Sequence, residues 1–133
     1  MLDVTERTIR LFLHVLASTI WVGGQITLAG LVPGLRAVSP DAPKASARRF
    51  AQLAWPAYGV LIVTGVWNIL ALDAPWTGPY GTTLLVKLAV VVLSGVAAWL
   101  HAESKSRLGL AVWGSVAGLT AIGALFLGVL LHG

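Results

Sequence analysis

Four side chains in the first apolar stretch of the sequence could carry chemistry inside a membrane. His14, Ser18, Trp21 and Gln25 follow one another at spacings i, i+4, i+7 and i+11. A helix with 3.6 residues per turn places all four on one face. Polar groups within a membrane turn towards the protein interior or a wet cavity, and by default they mark function. This stretch therefore predicts a helix with an inward-facing site, for which other helices supply partners.

The composition predicts an integral membrane protein. Of the 133 residues, 57% are hydrophobic and 11% are charged. In a soluble domain about a quarter of the residues are charged. The apolar runs are long enough to cross a bilayer, and we expect residues 1–133 to form a single transmembrane domain with lipid as its partner. The excess of 9 Lys and Arg over 5 Asp and Glu lies mostly in loops, which points to membrane orientation and not to nucleic acid.

Four apolar runs predict an all-α fold, an up-and-down four-helix bundle. An Asp3–Glu6 capping box is expected to start the first helix near Val4. Pro33-Gly34 is expected to end that helix, and residues 36–49 are expected to form a loop. The predicted helices are about 9–32, 50–72, 82–102 and 108–131.

The last helix and the loops add two further predictions. Gly114 and Gly118 form a G-x-x-x-G pattern, which favours close helix packing. Two loops carry six Lys and Arg. The side of the termini has two, Arg7 and Arg10, or three if Lys87 snorkels outward. Positive charge favours the cytoplasmic side, so we expect both termini to be extracytoplasmic in the cell (inner) membrane.

Each predicted helix offers one polar group towards the outer side: His14, Asn68, Lys87 and His132. We predict His14 and His132 as metal or heme ligands. Three of these groups also have a structural interpretation, because Lys87 could snorkel, Asn68 could bridge helices, and His132 could be frayed at the chain end. The predicted supporting residues are Ser18, Trp21, Gln25, Thr64, Asn68 and Lys87. His101 lies at the opposite, cytoplasmic end, where an interfacial role is expected.

Short segments along the first three predicted helices together resemble the copper-resistance protein D (CopD) family. The segments are His14-Val15, Trp21-Val-Gly-Gly24, Arg48-Arg49-Phe50, Thr64-Gly-Val-Trp-Asn68, Pro79-Tyr-Gly81 and Leu85-Val-Lys-Leu88. The resemblance implies binding or transport of copper across the inner membrane. A more distant similarity to the HemJ-type four-helix proteins rests on His14, Lys87 and Trp55-Pro-Ala57, and implies heme b.

Three functions remain open on these residues. The first is copper handling with His14 at the outer entrance, although Cu(I) favours thiolate and thioether ligands and the chain has no Cys and one Met. The second is a heme b protein for electron transfer or porphyrin handling, in which Lys87 would pair with a propionate. The third is an assembly subunit whose polar stripe only joins helices. Triad, phosphate-loop and zinc-site patterns are absent, so catalysis is not favoured, and a homo-oligomer stays open.

Overall fold

The structure, a computed structural model, describes all 133 residues, and its regular elements are all helices. Four helical stretches are long and apolar enough to cross a membrane. The first is a continuous span built from α1 (Glu6–Ser18), a π-helical segment (Thr19–Gly23) and α2 (Gly24–Val38). The other three are α3 (Ala42–Ala71), α4 (Gly78–Glu103) and α5 (Arg107–His132). The predicted all-α class with four membrane-length helices is confirmed.

The chain divides into two compact units, Met1–Asp73 and Ala74–Gly133. In the first unit, the first span packs on α3. The two run antiparallel, because Arg10 bonds to Asn68 while His14, one turn later, bonds to Thr64. In the second unit, α4 and α5 form an antiparallel hairpin. Each unit therefore brings two membrane-length helices together face to face.

The first span continues past the predicted stop at Pro33. The helix runs through Pro33 to Val38, and α3 already begins at Ala42, so most of the predicted loop over 36–49 is helical. Proline removes a single backbone donor, and membrane-spanning helices tolerate that loss. Pro43 stands in the first turn of α3, where its missing N–H would have had no partner in the helix. The polar residues of this segment therefore extend two helices and do not form a long loop.

The first helix begins slightly later than the predicted capping box implies. Thr5 is the N-cap, and its hydroxyl accepts a hydrogen bond from the backbone N–H of Thr8 at 3.3 Å. The side chain of Thr8 in turn accepts from the backbone N–H of Thr5. The capping box therefore joins two threonines, and Asp3 lies outside it.

Small residues allow α4 and α5 to pack closely. The buried positions include Ser94 and Ala97 on α4, and Ala117 and Ala121 on α5. The hydroxyl of Ser94 donates to the carbonyl of Ala117 at 3.0 Å. Small side chains let helix backbones approach, and a hydroxyl can then bond directly to the facing backbone.

The two glycines of the predicted packing pair, Gly114 and Gly118, have different surroundings. A β-carbon at Gly114 would lie 3.0 Å from Nδ1 of His101, so this glycine makes room for the imidazole ring. At Gly118, nothing lies within 4 Å of the position of a β-carbon. The buried face of α5 passes through Ala117 and Ala121. Gly118 therefore lies beside the contact between α4 and α5 and not at its centre.

Candidate functional site

Two successive polar contacts join α1 to α3 in the first unit. Nε of Arg10 donates to Oδ1 of Asn68 at 2.5 Å. One turn further along α1, Nδ1 of His14 lies 2.8 Å from Oγ1 of Thr64. We call these four residues the polar ladder. α1 begins at Glu6, and His14 is eight positions further along. The contact between His14 and Thr64 therefore lies about two turns inside the helix.

Arg10 is the member of the polar ladder that sequence reasoning missed. Its side chain is 3% exposed, and Nη1 forms an ion pair with the carboxylate of Glu6, one turn earlier and 55% exposed. A buried guanidinium is costly unless it is paired and hydrogen-bonded, and here Glu6 and Asn68 supply both partners. In the sequence alone, Arg10 is one of the basic residues on the side of the termini. The available signal was its spacing, because Arg10 precedes His14 by four residues and so shares its face.

His14 lies half-buried between the two helices, against the segment Thr64-Gly65 of α3. Thr64 is 2% exposed, and its hydroxyl also lies 2.6 Å from the backbone carbonyl of Val60. A β-carbon at Gly65 would lie 3.7 Å from Cε1 of His14, so the ring runs alongside this glycine. Imidazole in this setting is able to hold a proton or to ligate a transition metal.

Trp21 turns inward, as predicted, and lies in the π-helical segment. It is 4% exposed, and its ring centroid lies 4.5 Å from that of Tyr58 and 5.4 Å from that of Trp55. Ser18 is half-buried on the same span. The amide of Gln25 donates to the backbone carbonyl of Trp21 at 3.0 Å, so Gln25 bonds within its own span. A π-helical turn holds more residues than an α-helical turn, which shifts Gln25 from the angular position that a period of 3.6 assigns to it.

Lys87 and His132 come close to the same glycine in the second unit. A β-carbon at Gly128 would lie 3.1 Å from Nζ of Lys87, so the lysine side chain reaches across to α5. Nδ1 of His132 donates to the carbonyl of Gly128 at 2.7 Å, and the ring is exposed. His132 thus folds back on its own helix. His14 and His132, the two predicted ligands, belong to different units.

His101 occupies the end of α4 that leads into the turn to α5. Its Nδ1 donates to the carbonyl of Leu110 at 2.8 Å, and its ring lies against Gly114. The side chain thus joins the two helices next to their connecting turn. No group of three or more His, Cys, Asp or Glu residues gathers in a way that could hold a metal ion.

Comparisons with known proteins connect this chain to copper. Residues 44–131 match the protein family described as copper resistance protein D. Over 107 residues the chain is 34% identical to the copper transport protein CutJ of Bacillus subtilis (strain 168), an alignment that covers 74% of this chain and 20% of that relative. The chain thus spans about a fifth of the length of this relative. No solved structure matches the chain significantly.

Proposed function

Because the chain belongs to the copper resistance protein D family, we propose that it is a membrane unit that binds copper and passes it across the bilayer, with His14 as a copper ligand. Copper is the cargo in this proposal. The name of the Bacillus subtilis relative, a copper transport protein, supports the choice of cargo. That relative is about four times as long as this chain, so further domains or subunits are expected to deliver or receive the ion.

The position of His14 carries the proposal. An ionisable side chain within a membrane span that faces another helix marks an ion pathway by default. Imidazole is a good ligand for copper, and the chain has no cysteine and a single methionine, Met1. A site with few protein ligands binds weakly, and a transported ion must leave its site as readily as it enters. Imidazole at His14 therefore suits transient binding better than storage.

The charge of Arg10 does not oppose a cation at His14. A bare guanidinium one turn away would repel copper strongly, because charges in a poorly screened environment interact over several ångströms. Here the carboxylate of Glu6 pairs with Arg10, so the net charge of the pair is zero. The amide oxygen of Asn68 adds a further negative dipole on the other side of the guanidinium. The polar ladder is thus compatible with a positively charged cargo.

We infer an orientation of the protein in the inner membrane from its exposed basic side chains, with both basic connections on the cytoplasmic side. The two basic connections, between α2 and α3 and between α4 and α5, carry six exposed Lys and Arg: Arg36, Lys44, Arg48, Arg49, Lys105 and Arg107. Near the N-terminus Arg10 is buried and ion-paired, which leaves Arg7 as the exposed basic side chain there. We propose that both termini are extracytoplasmic and that His14 lies towards the outer side. A terminal tag should be accessible in intact cells; a tag that reacts only after permeabilisation contradicts this orientation.

Copper binding and uptake by the reconstituted chain test the proposed function. We expect liposomes that contain the protein to take up copper into an entrapped chelating dye, and the His14→Ala variant to lose at least about tenfold in rate and in copper affinity. His101→Ala is the matched control, because it removes an imidazole that serves the α4–α5 turn. Full copper uptake by His14→Ala contradicts the assignment of His14. A Soret band in the purified protein, without copper, points instead to heme.

A further inference from the structure

We infer that Thr64 is a positioning residue that fixes His14 in the tautomer with its proton on Nδ1, so that Nε2 carries the lone pair for a metal cation. The use of that lone pair for copper rests on the proposed function. The tautomer itself is a property of the copper-free protein and can be measured without metal.

The other hydrogen bonds of the Thr64 hydroxyl determine whether it donates to His14 or accepts from it. A hydroxyl has one proton to donate and two lone pairs to accept with. Oγ1 of Thr64 lies 2.6 Å from the carbonyl oxygen of Val60 and 3.3 Å from that of Leu61, and carbonyl oxygens only accept. The hydroxyl proton therefore points to the carbonyl of Val60. The hydroxyl oxygen accepts a hydrogen bond from the Nδ1–H of His14, with Nδ1 and Oγ1 2.8 Å apart.

The reverse arrangement is unfavourable at this position. If the Thr64 hydroxyl donated to Nδ1, its oxygen and that of Val60 would face each other at 2.6 Å with no proton between them. Thr64 is 2% exposed, so water cannot enter to relieve that contact. A buried polar contact without a proton is disfavoured, because nothing replaces the lost hydrogen bond. The backbone of α3 thus sets the state of an imidazole on α1 through a single hydroxyl.

This tautomer is the one that suits a metal ligand. Histidines that bind metals commonly donate the second ring N–H to a neighbouring acceptor, which orients the ring and raises the basicity of the ligating nitrogen. Loss of such an outer partner typically lowers metal affinity by about 10–100-fold. In Thr64→Val, which keeps the branched shape and removes the hydroxyl, the ring of His14 loses this constraint.

The other two histidines of the chain provide internal controls. Nδ1 of His101 lies 2.8 Å from the carbonyl of Leu110, and Nδ1 of His132 lies 2.7 Å from the carbonyl of Gly128. Both partners are backbone carbonyls, so both rings carry a proton on Nδ1 whatever residue occupies position 64. A substitution of Thr64 should change the signal of one histidine and leave two unchanged.

Nitrogen NMR of the full chain, labelled with [15N]histidine and free of copper, tests the inference at an alkaline pH where imidazole is neutral. The His14→Ala variant assigns the signal. We expect all three rings of the parent protein to be protonated on Nδ1. In Thr64→Val, His14 should shift towards a mixture of tautomers while His101 and His132 keep theirs, and Thr64→Ser should restore the parent pattern. Copper affinity, measured by competition with a chelator, should fall about 10–100-fold in Thr64→Val and recover in Thr64→Ser.

Two results would overturn the inference. The first is a parent protein in which His14 carries its proton on Nε2. The second is a Thr64→Val variant in which the His14 signal is unchanged although the control signals show a folded chain. If Thr64→Val fails to fold, Thr64→Ala provides the same test with a smaller side chain. Failure of the proposed function looks different, because His14→Ala would then keep full copper binding while the parent tautomer stays as inferred.

Discussion

Replacement of Asn68 by alanine removes an acceptor from a buried charged donor. Nε of Arg10 donates to Asn68 at 2.5 Å, and the two residues are 3% and 9% exposed. Hydrogen bonds to charged groups contribute about 1.5–3 kcal/mol in soluble proteins. Interhelical bonds in membrane proteins average about 0.6 kcal/mol and reach about 1.7 kcal/mol. Because the donor is charged and nearly closed to water, we expect Asn68→Ala to cost about 1.5–2 kcal/mol of unfolding free energy.

A double-mutant cycle isolates this contribution from other effects of the substitutions. The unfolding free energy of the purified chain is measured by denaturant titration in detergent for the parent, Asn68→Ala, Arg10→Met and the double variant. Arg10→Met keeps the length of the side chain and removes its charge, and the exposed carboxylate of Glu6 can be hydrated instead. The coupling energy between the two positions is expected to be about 1.5 kcal/mol. Thr27→Ala is the control, because the Thr27 hydroxyl bonds to a carbonyl of its own span on an exposed face.

Two results would refute this reasoning. A coupling energy below about 0.5 kcal/mol would mean that the contact between Arg10 and Asn68 adds little beyond what neighbouring residues supply. An Asn68→Ala variant no less stable than Thr27→Ala would mean that burial of the guanidinium does not depend on the amide. Either result would remove the polar ladder as a source of stability, although His14 could still contact Thr64.

Substitution of two glycines by alanine gives further predictions. A β-carbon at Gly24 would overlap the ring of Phe50, so Gly24→Ala is expected to cost about 1–3 kcal/mol of unfolding free energy. Phe50→Ala in the same chain should relieve that clash, and simple additivity of the two losses would count against it. A β-carbon at Gly128 would lie 3.1 Å from Nζ of Lys87, so Gly128→Ala should displace the ammonium. Lys87 should then react at a changed rate with an amine reagent, quantified by mass spectrometry against Lys105; an unchanged rate contradicts the contact.

The helices of this chain could be predicted from sequence, but some of their ends could not. Apolar runs long enough to cross a bilayer identify four membrane-length helices whatever their packing. The predicted end of the first span is too early, because it takes Pro33 as a stop while the helix continues to Val38. A proline removes one backbone hydrogen bond, and its ring clashes with the backbone carbonyl one turn earlier. Whether a helix continues past it depends on the groups that surround that turn. The helical state of residues 34–38 is therefore a property of the folded chain.

The candidate site could be predicted in part. The sequence identifies both His14 and Thr64 as candidates, on separate helices, because each is a polar group in an apolar run. Their contact across fifty residues of chain, and that of Arg10 with Asn68, depends on the antiparallel register of α1 and α3. Periodicity gives the face of a helix but does not give the register between two helices. An arginine near a helix end also reads as an interfacial charge until its partner is known.

The π-helical segment explains why the predicted face of His14, Ser18, Trp21 and Gln25 does not continue in a regular 3.6-residue period after Trp21. A period of 3.6 assigns Gln25 to the face of His14, but the turn between them is widened. Trp21 fills that turn with its ring against Trp55 and Tyr58, while the amide of Gln25 bonds to the Trp21 carbonyl. The widened turn is thus held by aromatic contacts to α3 on one side and by a side-chain amide on the other. Since π-helical turns occur frequently at functional sites, its place two turns from His14 supports a functional role for this half of the first span.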